Sequence, residues 1–473
     1  MLMVADVVEA LSGNRPDWGT VDISCAVVDS RNATKNSMFV AVPGDQVDGH
    51  DYIDDAFDRG AVIAFIQNQL PEGYRVLDLD KAPSKFINES VEIPFCIRTK
   101  NTIEALQQTA RFWRTKLNPR LIGITGSVGK STTKEVSAEV LSQRYRTIKN
   151  PGNLNNEIGL PLSILSMTEE HQRGIFEMGF YVPGEIAFLC DIAKPQVGVV
   201  TNIGTVHAER AGSIEAIAEG KSELVQALPP APTGVAILNN DDSLVKEMAG
   251  KTQARLFFYG IDPEADLWAD DIEGLGLDGI RLRLHYQDEV QYMRVPLIGR
   301  HSVHTVLRAA ALGLVEGLTW QEIVDGLRSG RAQLRLVAVQ SVDGALLLDD
   351  TYNASPESTL AAINLLEELG GHKIAVLGDM LELGKYELEG HKMVGARAAE
   401  VVDELITVGT RAKIIAETAR KSGLDSKAIT ELMDSHQAIQ LMKDRLDEKD
   451  VVLIKGSHGM RMDLIVSALE RRE

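Results

Sequence analysis

Hydrophobic residues in this chain occur in short runs separated by turn-forming residues, and these runs alternate with longer stretches of helical spacing. Beyond residue 120 the alternation has the rhythm of βα units, which predicts mainly parallel sheets covered by helices. We expect strands at residues 121–125, 174–178, 197–201 and 235–238, and again at 345–348, 373–377, 405–408 and 451–454. Apolar spacing of three and four residues predicts helices at 102–116, 131–141 and 214–228.

The same patterns predict an α/β protein of three domains. Residues 1–100 carry short apolar runs, at 38–42 and 62–66, that are broken by glycine and aspartate turns, as in a small α/β domain. Residues 101–328 predict a second domain with a mainly parallel sheet, to which the period-two pattern of 274–296 adds an antiparallel hairpin. Residues 329–473 repeat the strand–helix alternation and predict a third, Rossmann-like α/β domain.

Composition narrows the class of protein. The 473 residues carry 49 Lys and Arg against 68 Asp and Glu, a formal net charge of 49 − 68 = −19, which argues against a nucleic-acid partner. The three cysteines, Cys25, Cys96 and Cys190, are too scattered for a disulfide framework or a structural zinc site. No apolar run approaches the ~18 residues that span a bilayer, and the N-terminus lacks the basic start of a signal peptide. We therefore expect a cytoplasmic protein without membrane insertion.

The strongest local signal is TGSVGKST at residues 125–132, which lies between an expected strand and an expected helix. This is the context of a phosphate-binding loop, in which glycines let backbone N–H groups surround a phosphate at a helix N-terminus. Lys130 would neutralise the β- and γ-phosphates, and Ser131 would bind Mg²⁺. The strict pattern would have glycine where this chain has Ile124, and no NKxD-type base reader of a GTPase is present. The nucleotide-binding residues are therefore expected to be Gly126, Ser127, Val128, Gly129, Lys130, Ser131 and Thr132.

Three further polar residues stand near expected strand ends or in an expected helix. Glu177 ends one strand, His207 follows another, and Lys221 lies fourteen residues beyond His207. Carboxylate and imidazole groups can form a mixed metal shell, although imidazole is an unusual ligand for Mg²⁺. Taken alone, Glu177 also fits a solvated carboxylate and His207 a structural histidine. Lys221, between Glu219 and Glu223, also fits an exposed lysine of a surface helix.

Together with the phosphate loop and the acidic turn at 239–242, these residues resemble the Mur ligase family of ATP-dependent, amide-bond-forming enzymes. The resemblance covers nearly the whole chain. It implies that the loop holds ATP, that Ser131, Glu177 and His207 bind Mg²⁺, and that Lys221 is carbamylated and helps to bind a second Mg²⁺. It also assigns the domains: residues 1–100 bind a UDP-linked precursor, 101–328 bind ATP, and 329–473 complete the ligase.

Within that family the chain resembles members that add D-alanyl-D-alanine to a UDP-N-acetylmuramoyl-tripeptide. The similarity lies in the segments 29–31, 39–44 and 48–52, in DDTYNASP at 349–356, and in VLGDMLELG at 376–384. The two substrates and ATP are thus the implied small-molecule partners of a monomer. The implied substrate-binding residues are Ser30, Arg31, Gly44, Asp48, His50, Asn153, Asn156, Asn353, Asp379 and Lys455.

The resemblance implies a catalytic set of Lys130, Lys221, His207 and Arg335. Arg335 would also reach the γ-phosphate of ATP, Asp350 would accept from its ribose, and Tyr352 would flank the nucleotide. Glu382 would help to hold the ammonium of the incoming dipeptide, and Ser457 would contact donor or acceptor.

The chain departs from the family pattern at several positions. Leu334 precedes Arg335, Ser302 and Thr305 replace the asparagines of GRHNxxN, Ser355 replaces another asparagine, and His458 stands where arginine is common.

The implied reaction proceeds through an acyl phosphate: a peptide carboxylate attacks the γ-phosphate of ATP, and an amine then displaces phosphate. Two alternatives stay open. One is a sister ligase that adds a single amino acid to a shorter precursor, although its D[ND]PR segment is absent. The other is an inactive phosphate-loop scaffold, which would be expected to have lost Lys130, Glu177 or His207.

Overall fold

The computed structural model describes residues 1–44, 47–79, 91–329, 336–443 and 445–471. Its helices are α1 Val4–Ser12, α2 Ile53–Asp58, α3 Thr102–Leu117, α4 Lys130–Leu141, α5 Gly159–Leu165, α6 Glu185–Ala193, α7 Ala208–Ala211, α8 Ile214–Gln226, α9 Ser243–Lys246, α10 Val303–Val315, α11 Trp320–Arg328, α12 Pro356–Glu368, α13 Glu387–Val401, α14 Lys413–Lys421, α15 Ser435–Met442 and α16 Asp463–Leu469.

The strands are β1 Ala26–Val27, β2 Met38–Val40, β3 Ile63–Ile66, β4 Val76–Asp78, β5 Phe95–Arg98, β6 Arg120–Thr125, β7 Thr147–Lys149, β8 Arg173–Glu177, β9 Val197–Val200, β10 Val235–Asn239, β11 Arg255–Gly260, β12 Leu267–Gly274, β13 Ile280–Tyr286, β14 Glu289–Val295, β15 Val337–Gln340, β16 Leu346–Asp350, β17 His372–Gly378, β18 Glu404–Val408, β19 Ile429–Leu432 and β20 Asp450–Lys455. Each expected strand and helix is present, with ends within two residues of the expected ones.

The strands form three sheets, which confirms the predicted three-part α/β fold. A five-stranded parallel sheet has the order β1-β2-β3-β5-β4. A nine-stranded sheet has the order β14-β13-β12-β11-β10-β9-β6-β8-β7. The predicted hairpin is β13–β14, in which Leu282 pairs with Met293, and β12 joins it as a further antiparallel strand.

The third sheet has the order β15-β16-β20-β17-β18-β19 and is parallel except for its edge strand β15. Apolar side chains of alternate residues form one core on each face, with Leu348 and Leu453 in one core and Leu347 and Val452 in the other. Strands buried on both faces explain the nearly continuous hydrophobic runs in this part of the sequence.

By internal packing the chain divides into two compact units. The first comprises residues 1–123, 145–179 and 186–197, and the second comprises 124–144, 180–185 and 198–473. The domain boundaries that we expect after residues 100 and 328 remain predictions. Among the described residues, no helix combines the length and apolar character needed to cross a bilayer.

Candidate active site

The phosphate loop follows β6 directly and ends where α4 begins at Lys130. Gly126 has a φ of 144° and Gly129 a φ of 85°, conformations that residues with a β-carbon rarely adopt. A β-carbon built on Gly126 would lie 1.8 Å from Thr201 Oγ1. The backbone therefore makes this turn only because glycine occupies both positions.

The residues that follow β9 hold the loop in place. Ser127 N donates to Asn202 O at 2.9 Å, and Val128 N donates to Asn202 Oδ1 at 2.8 Å. Thr201 Oγ1 donates to the carbonyl of Val128 at 2.7 Å. Sequence reasoning missed Thr201 and Asn202, although both follow the same strand, β9, as His207.

Two lysines meet at one carbonyl of the loop. Lys130 Nζ donates to Gly126 O at 2.8 Å, and Lys221 Nζ donates to the same oxygen at 3.0 Å. Lys221 is 1% exposed, so the surface-lysine interpretation of this residue is wrong. Burial, reinforced by the charge of Lys130, holds the pKa of Lys221 well below its usual range. The neutral amine, which is the nucleophilic form, is therefore easier to reach in Lys221 than in an exposed lysine.

His207 is held by a carboxylate from the third sheet's loops. Its Nδ1 lies 2.6 Å from Glu382 Oε2, and its ring meets the ring of Tyr181 edge-on at 4.7 Å between centroids. Burial and the nearby Lys130 charge lower the pKa of His207 to about 4, although Glu382 opposes the shift. The imidazole is thus neutral near pH 7, the form in which histidine binds metals.

Glu177 lies in the first unit and is 1% exposed, so it is not a solvated carboxylate. Its backbone N–H donates to Asn150 Oδ1 at 2.9 Å, and Asn155 Nδ2 donates to its Oε1 at 2.9 Å. Asn150 therefore holds the backbone of Glu177, and Asn155 holds its carboxylate. Of the two amides expected to bind substrate, Asn156 accepts through Oδ1 from Gly159 N at 2.8 Å, and Asn153 is exposed in the same loop.

Candidate nucleotide and substrate residues of the third sheet meet at the carboxyl ends of β16 and β20. Lys455, which is 2% exposed, donates to Asp350 Oδ2 at 2.6 Å and to Asn353 O at 2.9 Å. Tyr352 is exposed beside them. Asp379 is buried and accepts from Ala412 N at 2.7 Å, so this carboxylate already has a structural partner.

Ser355 and His458, which differ from the family pattern, and Ser457, which was expected to contact a substrate, all lie in this region. Ser355 caps α12 by accepting from Ser358 N at 3.3 Å, a position at which serine serves as well as asparagine. Ser457 Oγ accepts from Leu381 N at 2.8 Å, and His458 lies 6.4 Å from Tyr352 between ring centroids. Arg335 and Leu334 lie outside the described residues.

Two candidate UDP-binding residues of the first unit, Arg31 and His50, are each held by a nearby aspartate. Arg31 is paired with Asp29 at 2.6 Å, and this lowers the pKa of Asp29 to about 2. His50 Nδ1 lies 2.6 Å from Asp48 Oδ1, and its Nε2 accepts from Gln67 N at 3.0 Å. Both ring nitrogens of His50 are therefore engaged within the chain. Ser30 is buried, and Gly44 is exposed.

No group of three or more His, Cys, Asp or Glu residues in the described ranges is arranged to hold a metal by itself. Mg²⁺ in nucleotide enzymes usually relies on one or two protein ligands together with phosphate oxygens and water. Ser131, Glu177 and His207 offer oxygen and nitrogen donors of that kind. Ser131 and His207 lie in the second unit, and Glu177 lies in the first.

Comparison with protein families gives three matches along the chain. Residues 22–91 match the Mur ligase family catalytic domain, residues 124–313 match the Mur ligase middle domain, and residues 330–458 match the Mur ligase glutamate ligase domain. The phosphate loop, His207 and Lys221 all lie within the middle-domain match.

Individual relatives match over the full length. A UDP-N-acetylmuramoyl-tripeptide–D-alanyl-D-alanine ligase from Bacillus subtilis is 32% identical, over 98% of this chain and 97% of its own. A crystal structure of MurF from Acinetobacter baumannii has a TM-score of 0.82 at 27% identity and covers 98% of both chains. MurF ligase from Thermotoga maritima in complex with ADP has a TM-score of 0.78 at 28% identity, covering 94% of this chain and 96% of that one.

Proposed function

Because this chain belongs to the Mur ligase family, we propose that it is the ATP-dependent ligase that joins D-alanyl-D-alanine to UDP-N-acetylmuramoyl-tripeptide in peptidoglycan precursor synthesis. The observation that carries this proposal is the full-length match to relatives of that name, with the phosphate loop intact. The protein is thus an amide-bond-forming enzyme that uses ATP, which sets aside the inactive-scaffold alternative.

The reaction has two balanced steps. The terminal carboxylate of the tripeptide attacks the γ-phosphorus of ATP, and the bond to the bridging oxygen breaks to release ADP and leave an acyl phosphate. The amine of D-alanyl-D-alanine then attacks the acyl carbon, loses a proton, and expels inorganic phosphate. Neither step uses a covalent bond to the protein. Its contribution is therefore to position the reacting groups and to supply positive charge.

Lys130 is the residue proposed to neutralise the transferring phosphate. In the structure its ammonium is hydrogen-bonded to the carbonyls of Gly126 and Ser127, so it already lies over the loop. Mg²⁺, when bound, would supply further positive charge to the phosphate oxygens. Ser131, Glu177 and His207 are the proposed ligands, and the neutral imidazole of His207 is competent for that role.

Lys221 is proposed to be carbamylated and to help bind a second Mg²⁺. Its neutral amine would attack the carbon of CO₂ and lose a proton, giving an anionic carbamate. Burial favours this reaction because it suppresses the unreactive ammonium form. The product would bring a negative charge close to Lys130, which now shares the Gly126 carbonyl with it.

The remaining site residues are proposed on the same family basis. Asp350 has one oxygen bonded to Lys455 and can accept from a ribose hydroxyl with the other. Arg335 is proposed for the γ-phosphate and Tyr352 for the nucleotide face. The UDP-linked substrate is assigned to Ser30, Arg31, Gly44, Asp48, His50, Asn153 and Asn156, and the peptide and dipeptide groups to Asn353, Asp379 and Lys455.

Phosphate release from ATP tests the proposal. We expect release only when UDP-N-acetylmuramoyl-tripeptide and D-alanyl-D-alanine are both present. Release with a shorter precursor and a single amino acid would move the chain to a sister ligase. No release with any pairing, while ADP still binds, would contradict ligase activity. The cytoplasmic location and the monomeric state stay predictions, which fractionation and light scattering would check.

A further inference from the structure

Arg308 is a buried cation beside the phosphate loop, and neither the reaction nor the motifs account for it. It lies on α10, is 4% exposed, and donates from Nε to Thr133 Oγ1 at 2.8 Å. Its Nη2 donates to Thr305 Oγ1 at 3.1 Å and lies 3.0 Å from where a β-carbon on Gly129 would be. The guanidinium is therefore wedged between α4, α10 and the last glycine of the loop.

No carboxylate in the described ranges neutralises this guanidinium. Its partners there are two threonine hydroxyls and the ring of Tyr259, whose centroid is 5.9 Å from the guanidinium carbon. The threonine contacts use two of its five N–H donors, and Tyr259 also forms a side-chain hydrogen bond with Arg308. A buried charge without a counter-charge is costly, and proteins usually keep one only where a partner or a ligand supplies the opposite charge.

The two hydroxyls that replace amides in the GRHNxxN-like segment are already occupied. Ser302 Oγ donates to the carbonyl of Ile298 at 2.7 Å, and Thr305 Oγ1 accepts from Arg308. Ser302 thus uses its only hydroxyl proton and Thr305 uses a lone pair, so neither offers the two N–H donors of an asparagine amide. The donor group that this part of α10 presents is the guanidinium of Arg308.

His301, near the start of α10, is influenced by the charge of Arg308. Burial chiefly lowers the pKa of His301, the charge of Asp350 raises it, and the charges of Lys455 and Arg308 lower it further. Arg308 and the pair Asp350–Lys455, the proposed ribose contact, therefore act on the same imidazole.

We propose that Arg308 is a nucleotide-binding residue whose guanidinium is neutralised by the phosphate chain of the bound nucleotide. This proposal builds on the use of ATP, because it needs a nucleotide in the loop. Arginine suits the role since its planar fork can bond phosphate oxygens while retaining the hydroxyl contacts. Gly129 keeps the approach open, because any side chain there would meet Nη2.

Calorimetric titration of the full chain with ADP and, separately, with adenosine tests the proposal. Arg308→Gln keeps an amide N–H donor near the position of Nε, which bonds Thr133, and loses the charge together with the outer nitrogens of the guanidinium. We expect it to weaken ADP binding about tenfold or more, as loss of a charge-assisted hydrogen bond does, and to leave adenosine binding within about twofold. Arg144→Gln is the matched control, since Arg144 also ties the end of α4 to its neighbours, through Glu322. It should change neither titration.

Thermal unfolding of the nucleotide-free chain separates this role from that of a structural clamp. If the charge of Arg308 is neutralised only by bound phosphate, Arg308→Met should unfold at the wild-type temperature or above it. ADP should also stabilise this variant less than it stabilises the wild type. A clamp predicts the reverse: lower stability, or failure to fold, with the ADP effect of Arg308→Gln unchanged. Equal weakening of ADP and adenosine would also overturn the proposal. Wild-type protein that bound no ADP would overturn the nucleotide site itself, together with the role of Arg308.

Discussion

His207 Nδ1 and Glu382 Oε2 lie 2.6 Å apart although 175 residues separate them in the chain. The backbone reinforces this contact, because Glu209 N donates to the carbonyl of Glu382 at 3.1 Å. With a neutral imidazole, the proton of the pair resides on Nδ1, and Nε2 keeps a lone pair. A carboxylate that fixes the tautomer and orientation of a ligating histidine is a common feature of metal sites.

Removing this carboxylate should weaken the use of Mg²⁺. Glu382→Ala should lower kcat/KM about ten- to a hundredfold at limiting Mg²⁺, the usual effect of losing such a partner. Glu382→Gln should retain more activity, since its amide oxygen still accepts from Nδ1. ¹⁵N spectra of labelled histidine in the metal-free chain, assigned with His207→Gln, should show Nδ1–H in the wild type and a mixed tautomer in Glu382→Ala. A wild-type ring protonated on Nε2 would contradict the prediction, and Glu387→Gln on the same segment is the control.

Replacing the buried Lys221 should abolish activity without lowering the stability of the fold. The unfolded chain binds a proton on this lysine below its ordinary pKa of about 10.4, whereas the folded chain resists doing so. The unfolded state therefore holds more protons, and the contribution of Lys221 to stability rises with pH. In CO₂-free buffer, we expect Lys221→Met to be at least as stable as the wild type at pH 7. The difference in free energy of unfolding between the two proteins should shrink towards pH 10. The variant should also lose ligase activity. Denaturant titrations at several pH values check this, and a destabilised variant at pH 7 would refute it.

Alanine at Gly126 should be far more harmful than alanine at a glycine with free space around it. The added β-carbon would overlap Thr201 Oγ1, whereas Gly423, with a φ of 107°, has nothing within 4 Å of its built β-carbon. We expect Gly126→Ala to abolish ADP binding and to lower the free energy of unfolding by about 2 kcal/mol or more. Gly423→Ala should cost about 1 kcal/mol through backbone strain alone and leave binding intact. Equal losses of stability would show that the overlap is relieved by local movement.

The pair Lys455–Asp350 should behave as a buried ion pair. Lys455→Met leaves a carboxylate without its partner and should destabilise the chain by about 3–5 kcal/mol. The double variant Lys455→Met with Asp350→Leu should recover part of that loss, since no buried charge remains. Denaturant unfolding of the two single variants and the double variant completes the cycle. Additive losses would mean that the pair is not coupled.

The sequence supported the fold and the identity of many site residues, but not their contacts. Strand β8 and helix α4 could be expected because hydrophobic period and turn residues are local signals. The burial of Lys221 could not, because its helix position and neighbouring glutamates also suit a surface. The contacts of His207 with Glu382 and of Val128 with Asn202 depend on which loops meet after folding, and no local pattern records that. Arg308 was missed for the same reason: within α10 it looks like an ordinary polar residue of an amphipathic helix.

The register of the third sheet has a geometric consequence for ligand recognition. Asp350 and Leu377 both pair with Lys455, so β16, β20 and β17 end side by side. Adjacent strands lie ~4.8 Å apart, and the outer two ends are therefore separated by about 10 Å. Backbone hydrogen bonds set that length, and side-chain substitutions cannot easily change it. Evolution in this part of the chain can therefore alter which chemical groups are recognised more readily than the distance between them.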